Sequence, residues 1–374
     1  MRLRGQGALV TLLYVLAVAG MYGYLSATWH NDEARWWLGL ASVATLVQTG
    51  IFWWSLPYNH RPSEATLFPK LGYANALTLT RGLLTCLLAG FLFTSQPTGL
   101  LLWVPALLYT VERMIDYIDG FVARITDRET KLGAILDMEF DGLGILIASG
   151  IAIQYGKLPI WYLILGLGRQ LFLFGMWIRQ RQGKVLHDLP PSDHRRLIAG
   201  FQTSFISVAL WPALSPQITL LAGYFFAVPL ILSFGRDWLV VSDALDNDSS
   251  IYQQARRRAK TLLEGWLPLA VRLGSGLLAF SALWQMAQEG NNSFLLLLWT
   301  VATLALMAGV VGRVAALFLV SLAVTVINAH GLRLDHALFL LGLTIIIHLG
   351  CGKLALWMPE DRLLHMKLGE KRSA

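Results

Sequence analysis

The chain has 374 residues, 55% hydrophobic and 14% charged, with a mean hydropathy of +0.55. A soluble domain carries about 25% charged residues, so the composition excludes an ordinary water-soluble enzyme and predicts a polytopic helical membrane protein. The net charge of +7 falls in loops between apolar runs rather than on a basic face interleaved with aromatics, so nucleic acid is not an expected partner.

Apolar runs predict about twelve membrane-spanning helices, at 7–27, 35–56, 75–95, 99–124, 133–155, 158–181, 197–213, 217–241, 265–288, 294–310, 314–329 and 336–350. The opening run reads as an uncleaved first span, because a second follows almost at once. Trp36-Trp37 and Trp53-Trp54 flank apolar runs as interfacial aromatics do. Lys and Arg gather before the first span, after the second, fourth, sixth and eighth, and at the end of the chain. That bias places both termini and these loops on the cytoplasmic side.

The expected fold class is therefore an all-α, multi-pass membrane protein in blocks. An amino-terminal hairpin covers 1–57, a juxtamembrane connector 58–72, a six-helix core 73–241, a polar and basic linker 242–263, and a four-helix block 264–374. In the linker, Asp246 to Ser250 reads as loop and Gln253 to Lys260 as a basic surface helix. Cys86 and Cys351 lie far apart with no CxxC or Cys/His set, so neither a disulfide framework nor a zinc site is expected.

One pattern stands out inside this apolar chain. Asp116, Asp119, Gly120, Ala123, Arg124, Gly133, Asp137 and Asp141 spell D-x-x-D-G-x-x-A-R, then G-x-x-x-D-x-x-x-D. Ionisable groups in membrane-length sequence are costly and point to function. Asp116 and Asp119 share a helix face; Gly133, Asp137 and Asp141 form a stripe on the next helix. The short polar connector from Ile125 to Leu132 predicts antiparallel neighbours, which would bring four carboxylates to one depth. Two divalent cations would cancel their charge, and all-oxygen ligation favours Mg²⁺ or Mn²⁺. Arg124 is placed to touch a phosphate or carboxylate. Gly120, Ala123 and Gly133 leave room for close approach by a helix or a flat ligand.

These eight residues resemble the signature of the CDP-alcohol phosphotransferases, also called CDP-alcohol phosphatidyltransferases. Asn75, Thr78 and Arg81 resemble that family's first core helix, with Ala74 where proline is common. The resemblance implies a six-helix core with a cytoplasmic active site, a CDP-linked donor such as CDP-diacylglycerol, and divalent metal. It implies Asp116, Asp119 and Asp137 as metal ligands, and Asp141 as general base, touching a second metal as well. Asn75, Thr78, Arg81, Gly120, Ala123, Arg124 and Gly133 would form the CDP site. An acceptor hydroxyl would attack the donor's β-phosphorus and CMP would leave.

Arg169, inside an apolar run, resembles an arginine of relatives that take phosphorylated acceptors. With Lys184, Arg195 and Arg196 it would make an acceptor-phosphate pocket, for glycerol 3-phosphate or inositol phosphate. The expected partners are thus a CDP-alcohol lipid donor, a small hydroxylated acceptor and membrane lipids, with a homodimer as a further candidate assembly. His187 and His194 read as loop residues, His348 as a core histidine, and Gly166-x-Gly168 not as a dinucleotide site. Gly350-x-Gly352-Lys353 gives the tail a slight resemblance to DoxX-like four-helix modules. The rival function is an ion-coupled transporter using the intramembrane aspartates, whose expected sign is paired broken helices in repeated halves.

Overall fold

Backbone amides in lipid have to pair within their own segment, and helices satisfy that requirement. The computed structural model describes residues 2–359 apart from 65, 127, 188–192, 245–249, 251–253, 255–257, 259–260 and 291. Its long elements are α1 (Arg2–Thr28), α2 (Asn31–Ser55), α3 (Gly72–Ala89), α4 (Val104–Ile125) and α5 (Lys131–Gln154). They continue as α6 (Tyr162–Gly166), α7 (Gly168–Arg181), α8 (Asp193–Ala209) and α9 (Pro216–Val241). The last are α10 (Leu267–Gln288), α11 (Ser293–Ala308), α12 (Gly312–His330) and α13 (Leu334–Leu349). Most of the linker segment expected as loop and basic helix lies outside the described residues.

Among the described residues, five helical segments are long and apolar enough to cross a membrane: Leu3–Thr28, Asn31–Tyr58, Pro216–Val241, Leu267–Gln288 and Gly312–His330. Ile198–Ala209, Ser293–Ala308 and Leu334–Leu349 are apolar but shorter. Helices α4 and α5 carry the clustered charges, which lower their hydropathy.

Two expected spans are corrected. The run 158–181 is not one helix: it breaks at Leu167, between the five-residue α6 and α7. Gly166 and Gly168 flank the break, and glycine costs a helix roughly 1 kcal/mol relative to alanine. The run 99–124 begins as a 3₁₀ turn, Gly99–Trp103, before α4 starts with Pro105 in its first turn.

The chain divides into two compact units. Of the described residues, the first contains those up to Arg169 together with Thr203–Ala213, and the second contains those of Gln170–Gln202 and those from Leu214 onward. In the first unit α3 is central, packed by α1, α2, α4 and α5. Gly82 permits this: a Cβ there would stand 2.5 Å from Phe140, 2.6 Å from Gln48 Oε1 and 2.6 Å from the Tyr14 hydroxyl. Side chains from three helices therefore meet on the α3 backbone. Trp37, fully buried, covers Gly90 and donates from Nε1 to the Leu87 carbonyl at 3.1 Å.

The connector is folded and tied to this unit. Asn59 is fully buried; its Nδ2 donates to the Phe68 and Lys70 carbonyls at 3.2 Å each. Lys131 N donates to the His60 carbonyl at 3.0 Å, and Leu71 N to Gln6 Oε1 at 3.0 Å. Leu56, just before the connector, and Leu71, near its end, join Phe52, Leu79, Leu132, Leu136 and Phe140 in one apolar cluster.

In the second unit α13 packs on α9, α10 and α12. Two buried arginines satisfy carbonyls at and beyond its carboxy-terminal end. Arg272 donates to Cys351 O at 3.2 Å and Leu354 O at 3.3 Å; Arg313 donates to Ile347 O and to His348 O at 3.3 Å. His348 is a core residue, its Nδ1 2.8 Å from Thr344 O and its ring between Phe201 and Phe226.

Candidate active site

Three polar stripes face one another inside the first unit. On α3, Asn75, Thr78, Arg81 and Thr85 recur at steps of three and four and are all buried. On α4, Glu112, Asp116 and Asp119 follow the same spacing, with Arg113 beside them. On α5, Gly133, Asp137 and Asp141 recur every four residues. Thr130 starts α5 by accepting a bond from Gly133 N at 2.9 Å, which fixes where this last stripe begins.

Arg81 joins the stripes. Its guanidinium is fully buried and touches five carboxylates: Glu112 at 3.3 Å, Asp116 at 2.7 Å, Asp119 at 2.9 Å, Asp137 at 2.6 Å, and Asp141. A buried cation of this kind is tolerable only when paired and hydrogen-bonded. Thr78 Oγ1 adds a bond to Asp119 Oδ2 at 3.0 Å. The side chains of Asp116, Asp137 and Asp141 are 26%, 48% and 36% exposed, so ligands can reach them, whereas Asp119 is withdrawn at 8%.

Arg113 forms a second layer. It forks onto Glu112 through Nε and Nη2 at 2.5 Å each, and reaches Asp116 at 3.4 Å and Asp141 at 2.9 Å. Five carboxylates against two guanidiniums leave three negative charges for other cations to meet. Glu112 and Arg113 lie outside the eight-residue pattern. The signal that finds Glu112 is its place four residues before Asp116, on the same face one turn earlier.

Toward the amino end of α5, Gly133 is needed for close packing: a Cβ would stand 2.7 Å from Asn75 Oδ1 and 3.2 Å from Thr130 Oγ1. Asn75 in turn donates to Asn59 Oδ1 at 3.1 Å and accepts from Thr130 Oγ1 at 3.2 Å. Gly120 is half-buried beside the Arg124 guanidinium, 3.2 Å from where a Cβ would sit. Ala123 is half-buried and Arg124 is exposed in the last turn of α4.

The candidate phosphate set is dispersed along the chain. Arg169 is exposed near the start of α7, and Lys184 is exposed after its end. Arg195 and Arg196 belong to α8, but their side chains fall outside the described residues. His187 is an exposed loop residue 3.1 Å from Asp243; the side chain of His194 lies outside the described residues.

Asp116, Asp119 and Asp137 each offer an oxygen within 4.8 Å of the others. This all-carboxylate donor set fits a hard divalent cation. Asp141 lies outside that trio and shares Arg81 with it. Residues 71–234 match the model of the CDP-alcohol phosphatidyltransferase family. No curated protein and no solved structure matches the chain.

Proposed function

We propose, from the premise that this chain belongs through residues 71–234 to the CDP-alcohol phosphatidyltransferase family, that it joins a CDP-activated lipid alcohol to a small hydroxylated acceptor and releases CMP. The family implies transfer of a phospho-alcohol group from a CDP-alcohol, and the apolar helices fit an integral membrane protein. The observation that carries the reading further is the convergence of all four motif aspartates, from α4 and α5, on Arg81 of α3.

In this proposal Asp116, Asp119 and Asp137 would hold a divalent cation, Mg²⁺ or Mn²⁺, and Asp141 would reach a second. Bound metal would supply charge stabilisation on the donor's diphosphate. Asp141 takes the acceptor's proton, because a hydroxyl is a weak nucleophile until its proton has a place to go. Gly120, Ala123, Arg124 and Gly133 line the nucleotide site. Asn75, Thr78 and Arg81 shape it from beneath, since their polar atoms hold Thr130, Asp119 and the other carboxylates. The site faces the cytoplasm, on the strength of the basic loops that share its side.

The test is purified protein in nanodiscs with Mg²⁺ or Mn²⁺, CDP-diacylglycerol and a panel of phosphorylated and unphosphorylated acceptors. Metal-dependent CMP release with one acceptor class is expected. Its absence with every acceptor refutes the reading for this donor. A preference for phosphorylated acceptors, lost in Arg169→Ala, would assign the acceptor pocket.

A further inference from the structure

We propose that Arg113, locked by Glu112, is a positioning residue that pins one oxygen of Asp141 and leaves the other to receive the acceptor's proton. The inference rests on the transferase reading given above.

Asp141 Oδ1 accepts from Arg113 Nη2 at 2.9 Å and also from Arg81 Nη2. Among the described residues, no hydrogen bond falls on Asp141 Oδ2. The Asp141 side chain as a whole is 36% exposed, so the residue is open to an incoming ligand. A carboxylate held at one oxygen presents the other in a defined direction, which is what a general base within reach of its proton requires.

Arg81 alone does not supply that direction, because its nitrogens are shared among five carboxylates. Arg113 is the more directed donor. Glu112, 1% exposed, grips its Nε and Nη2 in a two-pronged pair at 2.5 Å each, which fixes the guanidinium plane. The buried Tyr109 ring lies 5.6 Å from its central carbon and closes off another direction of movement. Arg113 also reaches Asp116 of its own helix at 3.4 Å, while its bond to Asp141 ties α4 to α5. The chemistry then balances. The acceptor oxygen bonds to the donor's β-phosphorus as its proton passes to Asp141 Oδ2. The bond from that phosphorus to the bridging oxygen breaks, and CMP leaves with the electron pair.

The test compares wild type with Arg113→Gln, Arg113→Lys and Glu112→Gln in nanodiscs. It reads kcat and donor KM from CMP release, and Mn²⁺ affinity by electron paramagnetic resonance without substrate. Arg113→Gln is expected to lower kcat about 100-fold with donor KM and Mn²⁺ affinity held within about threefold. Arg113→Lys, which keeps the charge but loses the fork, is expected to recover part of kcat. Unchanged kcat overturns the proposal. So does a loss of Mn²⁺ affinity in step with kcat, which would assign Arg113 to holding the metal-binding carboxylates in place. Should Arg113→Gln not fold, Arg113→Lys and Glu112→Gln carry the same test: kcat falling alone supports it, and either other pattern sinks it. A wild-type protein that releases no CMP refutes the transferase reading instead.

Discussion

Asn75 Nδ2 donates to Asn59 Oδ1 across 3.1 Å, and both side chains are buried. The bond ties the first turn of α3, which carries Arg81 two turns further on, to the connector that follows the amino-terminal hairpin. Asn59 also holds the carbonyls of Phe68 and Lys70. The hairpin and connector are thus part of what keeps the helix that carries Arg81 in register.

Asn59→Leu removes three hydrogen bonds at once and leaves buried polar atoms unpaired. Each such atom costs about 1–3 kcal/mol. The expected result is a clearly lowered midpoint of thermal unfolding in detergent. An unchanged midpoint would mean that the connector is dispensable to the site's stability.

Gly133→Ala places a methyl group 2.7 Å from Asn75 Oδ1, closer than non-bonded atoms tolerate. Either Asn75 swings away or the start of α5 lifts, with a cost of about 1–3 kcal/mol. Donor affinity should weaken with it, because Asp137 and Asp141 are carried by the same helix. Titration with a non-reactive CDP analogue would check this, and wild-type affinity would count against it.

Gly82→Val tests the other side of α3. Its added carbons would meet Phe140, Gln48 and Tyr14, which belong to three different helices, so no single side chain can yield. Reduced expression of folded protein and a lower unfolding midpoint are expected from size-exclusion and thermal assays. The same substitution at Gly39, where nothing lies within 4 Å of the Cβ position, should be nearly silent.

Arg81→Met strips the carboxylates of their shared cation. Removing one partner from a buried ion pair costs about 3–5 kcal/mol. Added Mn²⁺ is expected to raise the unfolding midpoint of the variant more than that of wild type, because the metal then meets charges that Arg81 no longer offsets. Equal shifts in both proteins would show that Arg81 and the metal do not act on the same oxygens. Chelation of the wild type should lower its midpoint by the same linkage.

The eight-residue pattern, the apolar runs and the faces shared by Asp116 with Asp119 and by Asp137 with Asp141 were all readable before any coordinates. Helical spacing is a local property: residues three or four apart share a face whatever surrounds the helix. Asn75, Thr78 and Arg81 stand out through the family resemblance, and the structure places them on one buried stripe of α3. The break at Leu167 was less legible, since an apolar run does not say whether its glycines will bend or continue the helix.

Which stripes meet, and what stands between them, is set by packing. Nothing in the spacing of 81, 112, 113 and 141 says that one guanidinium will touch five carboxylates, or that Glu112 will clamp the second arginine. Nor does it say that a hairpin will close over Gly82 and Gly90. Sequence periodicity sets the direction in which each side chain leaves its own axis. Contact between helices depends on how the axes pack, and that is settled by the fit of distant surfaces such as Trp37 on Gly90 and Asn75 against Gly133.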